Sequence, residues 1–310
     1  MRYILTSFLI MLTQLCFGTP LTNMVVFGDS LSDNGNLFEY MHHQLPQTPP
    51  YFDGRFSDGP IWVEHLAQSY FNTDAALHLK DYAFGGAGVL SEQNDDEELF
   101  TLKREINTYL LAHNNQADPN SMFFVWIGGN NYLGVPDDVN ETVNEVVNGI
   151  ESGLERLVKM GAKHLTLVNL PDLSKTPLAK VLDAEPQFAT YSETHNKALL
   201  AMFEKLREAH PEVQWLFFDT NQIFSDIYAH PADYGFNQIQ ETCYDALVQP
   251  TSPKTVLNMV SSVHPKQNHP QNCDGYFFFD LIHPTKQVHQ LTAEHLRRFF
   301  DQENVSFATK

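Results

Sequence analysis

The sequence predicts an α/β fold in which a central parallel sheet is covered by helices on both faces. The first observation is a set of short, uninterrupted apolar runs, which are typical of strands buried on both faces. They are Met24–Phe27, Ser121–Ile127, His164–Leu170 and Val213–Phe218. The second observation is that amphipathic helical patterns separate these runs, so strand and helix alternate along the chain. We therefore expect a three-layer α/β sandwich with a flavodoxin-like arrangement.

The helical patterns repeat apolar residues at three- and four-residue spacing. The clearest runs from Val139 to Val158, with Pro136 ahead of it and Gly161 after it as start and stop signals. Four further helices are predicted, at Gly59–Tyr70, Glu97–Ala112, Glu185–Ala209 and Pro284–Asp301. The 310 residues contain no internal repeat and no linker, so we expect a single domain over residues 19–310.

The composition excludes several classes of protein. Hydrophobic residues make up 43% of the chain, which is enough to bury a sizeable core. The 19 basic residues face 38 acidic ones, giving a formal charge of −19. Such a surface repels phosphate backbones, so we expect no nucleic-acid partner.

The N-terminus has the layout of an export signal. Arg2 precedes an uncharged apolar run from Tyr3 to Phe17, and Gly18 follows it. This pattern predicts a secretory signal peptide over residues 1–18 and a secreted mature protein. The run is too short to span a bilayer, so the alternative to a signal peptide is a buried core helix.

Two cysteines remain once the signal peptide is removed. Cys243 and Cys273 lie in a segment, 230–279, that has no clear helix or strand pattern. In an exported protein such a pair predicts one disulfide, although two unpaired thiols are the alternative. The bridge would close a loop over residues 244–272.

A serine stands where ligands bind in α/β sheets, at the carboxyl end of the first strand. Ser30 is a helix N-cap or a nucleophile, and a nucleophilic serine needs a base beside it. His283 can be that base, and Asp280, three residues earlier, can orient its ring. Each of the two has a loop or helix-cap role as its alternative.

Two glycine-rich turns can supply hydrogen-bond donors to an oxyanion. Gly85 and Gly86 follow a possible second strand, and the missing side chains let backbone N–H groups approach a substrate. Asn130 and Asn131 follow the strand at Ser121–Ile127, where a side-chain amide can donate. Each turn taken alone is more often only a turn.

Taken together and in order, these segments resemble the GDSL lipolytic enzymes, also called SGNH hydrolases. The matching blocks are Gly28–Leu31, Gly86, Asn130 and the Asp280…His283 pair. Gly54–Pro60 and Asn169–Leu173 look like the bacterial secreted lipolytic branch, and within it the chain looks most like the secreted lysophospholipase A group of Legionella.

The resemblance implies an acyl-enzyme mechanism. Ser30 would be the nucleophile, His283 its base and Asp280 the orienting acid. Backbone N–H groups of Ser30 and Gly86 and the Asn130 side chain would form the oxyanion hole. Gly85 and Asn131 stay open as alternatives to their neighbours.

The implied activity is hydrolysis of the acyl ester of lysophospholipids, and also of phospholipids. The alternatives are glycerophospholipid–cholesterol acyl transfer at the same site and a general short-chain or carbohydrate esterase. We expect a lipid substrate at a membrane or micelle surface, no cofactor and no metal ion. We also expect that proteolytic nicking within residues 244–272 raises activity, because this loop lies directly ahead of Asp280. The alternative is a surface loop that the disulfide only staples.

Overall fold

The computed structural model describes residues 20–90, 101–246, 263–264 and 272–308. The expected signal peptide and most of the 244–272 loop lie outside the described residues. In the described part of the chain, no helix combines the length and the apolar character that crossing a membrane requires.

A five-stranded sheet forms the centre of the molecule. Its strands are β1 Asn23–Gly28, β2 Leu79–Asp81, β3 Ser121–Trp126, β4 His164–Val168 and β5 Gln214–Phe218. Their order is β2-β1-β3-β4-β5, and every neighbouring pair is parallel. The α/β sandwich prediction is confirmed, and the strand order is that of flavodoxin-like folds. Because the order reverses between β1 and β3, a crevice opens at their carboxyl ends.

Nine α-helices occur in the described residues. They are α1 Asn36–Tyr40, α2 Trp62–Phe71, α3 Ala75–His78, α4 Leu102–Ala112, α5 Val139–Lys159, α6 Pro177–Val181, α7 Glu185–Ala209, α8 Thr220–Ala229 and α9 Lys286–Gln302. Helix α5 packs against α4 and α7, whereas α2 packs against α9. These two groups form the outer layers, so the sheet is covered on both faces.

A local hydrogen bond and a local backbone conformation mark the two ends of helix α5. Asp138 precedes the helix, and its carboxylate accepts the backbone N–H of Glu141 at 2.9 Å. Gly161 follows the helix with a φ of +113°, a conformation that favours glycine. The apolar stripe between these ends is buried, which fixes the face that the helix turns to the core.

The segment without a clear pattern contains short strands. β6 Gln238–Thr242 pairs in parallel with β9 Tyr276–Phe278, and β7 Asp245–Ala246 pairs antiparallel with β8 Val263–His264. Cys243 and Cys273 are bonded, with 5.6 Å between their Cα atoms, so the disulfide prediction is confirmed. These strands escape a periodicity search because they are two to five residues long and β6 is mostly exposed.

Candidate active site

Ser30 lies in the tight turn that leaves strand β1. The backbone N–H groups of Ser32 and Asp33 both donate to the carbonyl oxygen of Asp29, at 2.9 and 3.0 Å. Gly28 must lack a side chain here, since a Cβ atom would lie 2.6 Å from the carbonyl oxygen of Trp126 in β3. The close contact of the two strands thus holds the serine at the crevice, with only 5% of Ser30 exposed.

His283 and Asp280 meet Ser30 from the other end of the chain. The Ser30 hydroxyl donates to His283 Nε2 at 2.8 Å, and His283 Nδ1–H donates to Asp280 Oδ2 at 2.7 Å. The other carboxylate oxygen, Oδ1, accepts the backbone N–H groups of Ile282 and His283 at 2.8 and 2.7 Å. This tight turn explains the three-residue spacing, because it folds the imidazole back onto its own carboxylate.

Tyr51 completes the surroundings of this carboxylate and was missed by the sequence reasoning. Its hydroxyl donates to Asp280 Oδ2 at 2.6 Å, and its ring packs against Phe279 with the centroids 5.0 Å apart. Burial and the neighbouring Asp280 raise the pKa of Tyr51 well above its usual range, which keeps the hydroxyl a donor. Tyr51 follows a run of prolines with no periodic pattern, so the sequence carries no signal for this contact.

The charge state of Asp280 is set by opposing effects. Burial raises its pKa, but the positive charge and hydrogen bonds of His283 and the hydrogen bond from Tyr51 together lower it below the usual value. Asp280 therefore stays ionised at neutral pH and can stabilise a protonated His283.

The first glycine turn is tied to the serine turn by Asp33. This buried carboxylate accepts the backbone N–H of Gly85 at 2.7 Å, as well as those of Gly35, Asn36 and Leu37. The N–H of Gly85 is therefore occupied. Gly86 adopts a φ of +82°, and its N–H has no hydrogen-bond partner within the described residues. The geometry favours Gly86 over Gly85 as an oxyanion donor.

The two asparagines of the second turn lie in different environments. Asn130 lines the same pocket as Ser30, and its Nδ2 donates one hydrogen bond to the carbonyl oxygen of Ala87 at 2.7 Å. An amide has a second N–H, which remains for a substrate oxygen. Asn131 instead accepts the N–H of Val89 at 2.8 Å. Asn130 is therefore the better candidate, and Asn131 fixes the neighbouring loop.

Helix α7 supports this second turn. The ring of His195 lies against Gly128, and its Nδ1 is 2.7 Å from the Tyr132 hydroxyl. Burial lowers the pKa of His195 to about 3, so the ring is neutral at physiological pH. The side chain of the neighbouring Asn196 holds the backbone of Leu170. Its Oδ1 accepts the Leu170 N–H at 3.0 Å, and its Nδ2 donates to the Leu170 carbonyl oxygen at 2.7 Å.

A largely apolar pocket with a cavity volume of about 60 Å³ opens beside Ser30. Its apolar lining includes Leu133, Leu170, Leu173, Phe224, Phe277 and Ile282. We call this cavity the apolar pocket. Its lining suits an apolar group of a substrate next to Ser30.

Comparison with known proteins places this geometry in a family. The model for the GDSL-like lipase/acylhydrolase family matches residues 24–296. The chain is 26% identical to the phosphatidylcholine-sterol acyltransferase of Aeromonas hydrophila, over 91% of each protein. It is 28% identical to the secreted effector protein SseJ of Salmonella typhimurium, over 90% of this chain and 64% of that protein. It is 27% identical to the thermolabile hemolysin of Vibrio parahaemolyticus, over 88% of this chain and 62% of that protein.

A comparison with solved structures gives matches of low sequence identity. The acetylxylan esterase Axe2 of Geobacillus stearothermophilus matches with a TM-score of 0.48 and 14% identity, over 91% of this chain and 95% of that one. The family model extends from strand β1 into helix α9 and so includes the serine turn, both glycine turns and the Asp280–His283 turn. The chain belongs to the GDSL-like lipase/acylhydrolase family.

Proposed function

We propose that this protein is a secreted serine hydrolase that cleaves the acyl ester of lysophospholipids, and also of phospholipids. The observation that carries the proposal is the hydrogen-bonded series Ser30–His283–Asp280 at the mouth of the apolar pocket. A nucleophile next to an apolar lining favours an ester with a hydrocarbon acyl group over an ester with a polar one. The resemblance to the Legionella lysophospholipase A group points the same way.

The first half of the reaction forms an acyl-enzyme. Ser30 Oγ attacks the ester carbonyl while His283 Nε2 takes the hydroxyl proton. Negative charge develops on the carbonyl oxygen, where the N–H groups of Ser30, Gly86 and Asn130 can donate. His283 then gives its proton to the leaving alcohol, and the glycerophosphate moiety departs.

The second half hydrolyses the acyl-enzyme. His283 removes a proton from a water molecule that attacks the acyl carbonyl, and the proton returns to Ser30 Oγ as the fatty acid leaves. Asp280 keeps the Nδ1 proton in place and stabilises the imidazolium in both halves. The Tyr51 hydroxyl supports Asp280 in this role.

The deciding experiment is fatty-acid release by the purified protein and its Ser30→Ala variant. Lysophosphatidylcholine, phosphatidylcholine and a short-chain ester are offered side by side. We expect release from lysophosphatidylcholine that disappears in Ser30→Ala and persists in Ser152→Ala, an exposed serine on α5. Activity on the short ester alone would replace the proposal with a general esterase.

Acyl transfer to a sterol is a second candidate function. The observation in its favour is the similarity to the phosphatidylcholine-sterol acyltransferase, which extends over 91% of both proteins. In chemical terms a sterol hydroxyl takes the place of water in the second half of the reaction. Phosphatidylcholine vesicles with cholesterol distinguish the two, because a transferase yields sterol ester where a hydrolase yields only free fatty acid.

Export and activation by a protease remain part of the proposal. The signal peptide and the basic residues Lys254 and Lys266, at which a trypsin-like protease would cut, lie outside the described residues. The disulfide would keep the two fragments together after a cut in 244–272. Equal activity of intact and nicked protein on every acyl substrate would contradict the activation.

A further inference from the structure

A second pocket lies at the carboxyl end of strand β2, on the other side of β1 from the apolar pocket. Its volume is about 350 Å³, and none of the reaction steps above uses it. Its lining includes Tyr40, Asp81, Tyr82, Phe84, Arg104 and Glu105. We call this cavity the polar pocket. It combines three aromatic rings, two acids and one guanidinium.

The two acids present oxygen atoms without partners. Glu105 is only 4% exposed, and its Oε1 has no hydrogen-bond partner among the described residues. The same holds for Asp81 Oδ2 within the described part of the chain. Both side chains line the polar pocket, and on losing their protons they give its wall a negative charge that favours a cation.

The aromatic rings narrow the kind of cation. Tyr40 and Phe84 lie in an edge-to-face arrangement with their centroids 5.6 Å apart, and Tyr82 lines the same pocket. Rings grouped beside carboxylates are how proteins recognise quaternary ammonium groups, which cannot donate hydrogen bonds and interact with the faces of the rings.

Arg104 adds a site for an anion at the same pocket. The residue is exposed on helix α4, one position before the buried Glu105. Guanidinium groups suit phosphate because they donate hydrogen bonds in a planar fork. A ligand that carries both a phosphate and a quaternary ammonium would satisfy both ends of the pocket.

We infer that the polar pocket binds a phosphocholine group, with the quaternary ammonium beside Tyr40, Tyr82 and Glu105 and the phosphate beside Arg104. Phosphocholine is available as the head group of a choline lipid and as the free molecule. As the head-group site of the substrate, the pocket rests on the proposed function, and it deepens that function by naming the head group.

The sheet places the two pockets on opposite sides of the nucleophile. The polar pocket begins at the end of β2, the apolar pocket is lined from β3 and β4, and β1 with Ser30 lies between them. Glu105 Oε2 also accepts the backbone N–H of Gly28 at 2.8 Å, two residues before Ser30. A choline lysophospholipid has the same order of parts, with its ester between the acyl chain and the head group.

Binding is tested without turnover, using the full-length Ser30→Ala protein with its disulfide intact. Isothermal titration calorimetry is run with phosphocholine, choline, phosphoethanolamine and glycerol 3-phosphate. We expect phosphocholine to bind in the millimolar range or tighter and more tightly than the other three. Burial raises the pKa of Glu105 and Asp81 well above the usual values, so binding of the cation should also release protons into the buffer.

The exposed positions supply the variants. In the Ser30→Ala protein, a second substitution, either Arg104→Gln or Tyr40→Leu, should weaken phosphocholine binding about tenfold. Arg156→Gln, an exposed arginine on α5, should bind like the parent protein. Thermal unfolding checks that each variant is folded. No heat from phosphocholine, equal binding of phosphoethanolamine, or a loss in Arg156→Gln equal to that in Arg104→Gln would overturn the inference.

A hydrolysis experiment separates this inference from the proposed function. The ratio of kcat/KM for lysophosphatidylcholine to that for a monoacylglycerol should fall about tenfold in Arg104→Gln. If lysophosphatidylcholine is hydrolysed but this ratio does not change, the head-group site is wrong and the proposed function stands. If phosphocholine binds but no lipid is hydrolysed, the pocket is supported as a site for free phosphocholine and the proposed function fails.

Discussion

The two pockets on either side of strand β1 differ in the residues that line them and in how far they are open. The apolar pocket is walled by aliphatic and aromatic side chains, and Phe277 and Phe278 there are both under 3% exposed. The polar pocket places Arg104 and Thr108 at the surface and Glu105 in the interior. Neighbouring strands of one sheet can thus end in an apolar pocket and a charged pocket, with strand β1 between them.

The origin of this difference is the strand order. Strand β2 is at the sheet edge and is only three residues long, so the residues after it stay partly exposed. Strands β3 and β4 are central and almost wholly buried, so the turns that follow them enter an apolar environment. Position in the sheet therefore decides which pocket a turn can line.

The largest expected effect comes from Asp280, whose carboxylate orients His283. Asp280→Asn should lower kcat by about 10⁴-fold, because an amide favours the wrong imidazole tautomer and cannot stabilise the imidazolium. The loss should be equal for lysophosphatidylcholine and for a monoacylglycerol, measured as fatty-acid release. Asp233→Asn, an exposed acid, is the control. A loss with only one of the two substrates would show that Asp280 also affects head-group binding.

The second effect is on stability and involves an acid of the apolar pocket. Burial raises the pKa of Asp29 to about 6, from 3.8 in the unfolded chain. The folded protein therefore holds a proton that the unfolded chain has lost, and stability falls as the pH rises from 3.8 to 6. Asp29→Asn removes this titration. The difference in the free energy of unfolding, variant minus wild type, should therefore rise by about 3 kcal/mol between pH 3.8 and about pH 6.

Urea denaturation of the wild type and of Asp29→Asn across that interval measures this difference. Equal m-values are required, since they show that both proteins expose the same surface on unfolding. Parallel stability curves for the two proteins would show that Asp29 titrates alike in the folded and unfolded chains. The apolar pocket would then be less shielded from water than its lining indicates.

The third effect sharpens the comparison by changing one pocket alone. Leu133→Trp adds bulk to the wall of the apolar pocket, and longer acyl chains should lose about 30-fold in kcat/KM relative to short ones. Fatty-acid release from esters of increasing chain length measures this, with Leu111→Trp as the control because Leu111 is 72% exposed on α4. A uniform loss at every chain length would mean that this pocket does not hold the acyl chain.

The smallest effect is at Tyr51. Tyr51→Phe removes one hydrogen bond to an ionised carboxylate, so kcat should fall about tenfold and the pKa of Asp280 should rise. The acid limb of the pH–rate profile should move to higher pH in the variant. Tyr234→Phe is the matched control, since that hydroxyl donates to the exposed Asp226 far from the serine. Unchanged profiles in both variants would leave Tyr51 with a packing role only.

Local patterns in the sequence were enough to predict the architecture. Four of the five central strands follow from their apolar runs, because a strand buried on both faces must be apolar throughout. Helix α7 is found at the predicted residues 185–209, since its periodicity is long and bounded. The turn between Asp280 and His283 is also local, so its spacing indicated the hydrogen bonds within it.

Contacts between distant segments could not be predicted in the same way. The hydrogen bonds from Tyr51 to Asp280 and from Gly85 to Asp33 leave no periodic pattern in the sequence. Each joins segments that come together only when the whole chain is folded. The choice of Gly86 and Asn130 over Gly85 and Asn131 needed the same information. In both pairs, hydrogen bonds to other parts of the chain leave one member available to a substrate and occupy the other.

The alternation of strands and helices, the cysteine pair and the residues capable of acyl transfer could all be read from the linear chain. These depend on apolar periodicity, on cysteine number and on side-chain chemistry, all of which can be seen in the linear chain. The contact of Ser30 with His283 at 2.8 Å and the two unlike pockets on either side of β1 depend on how the folded elements pack together. The physical reason is that a pocket is made of surfaces from several elements, and their order in the sheet is fixed by packing of the whole chain.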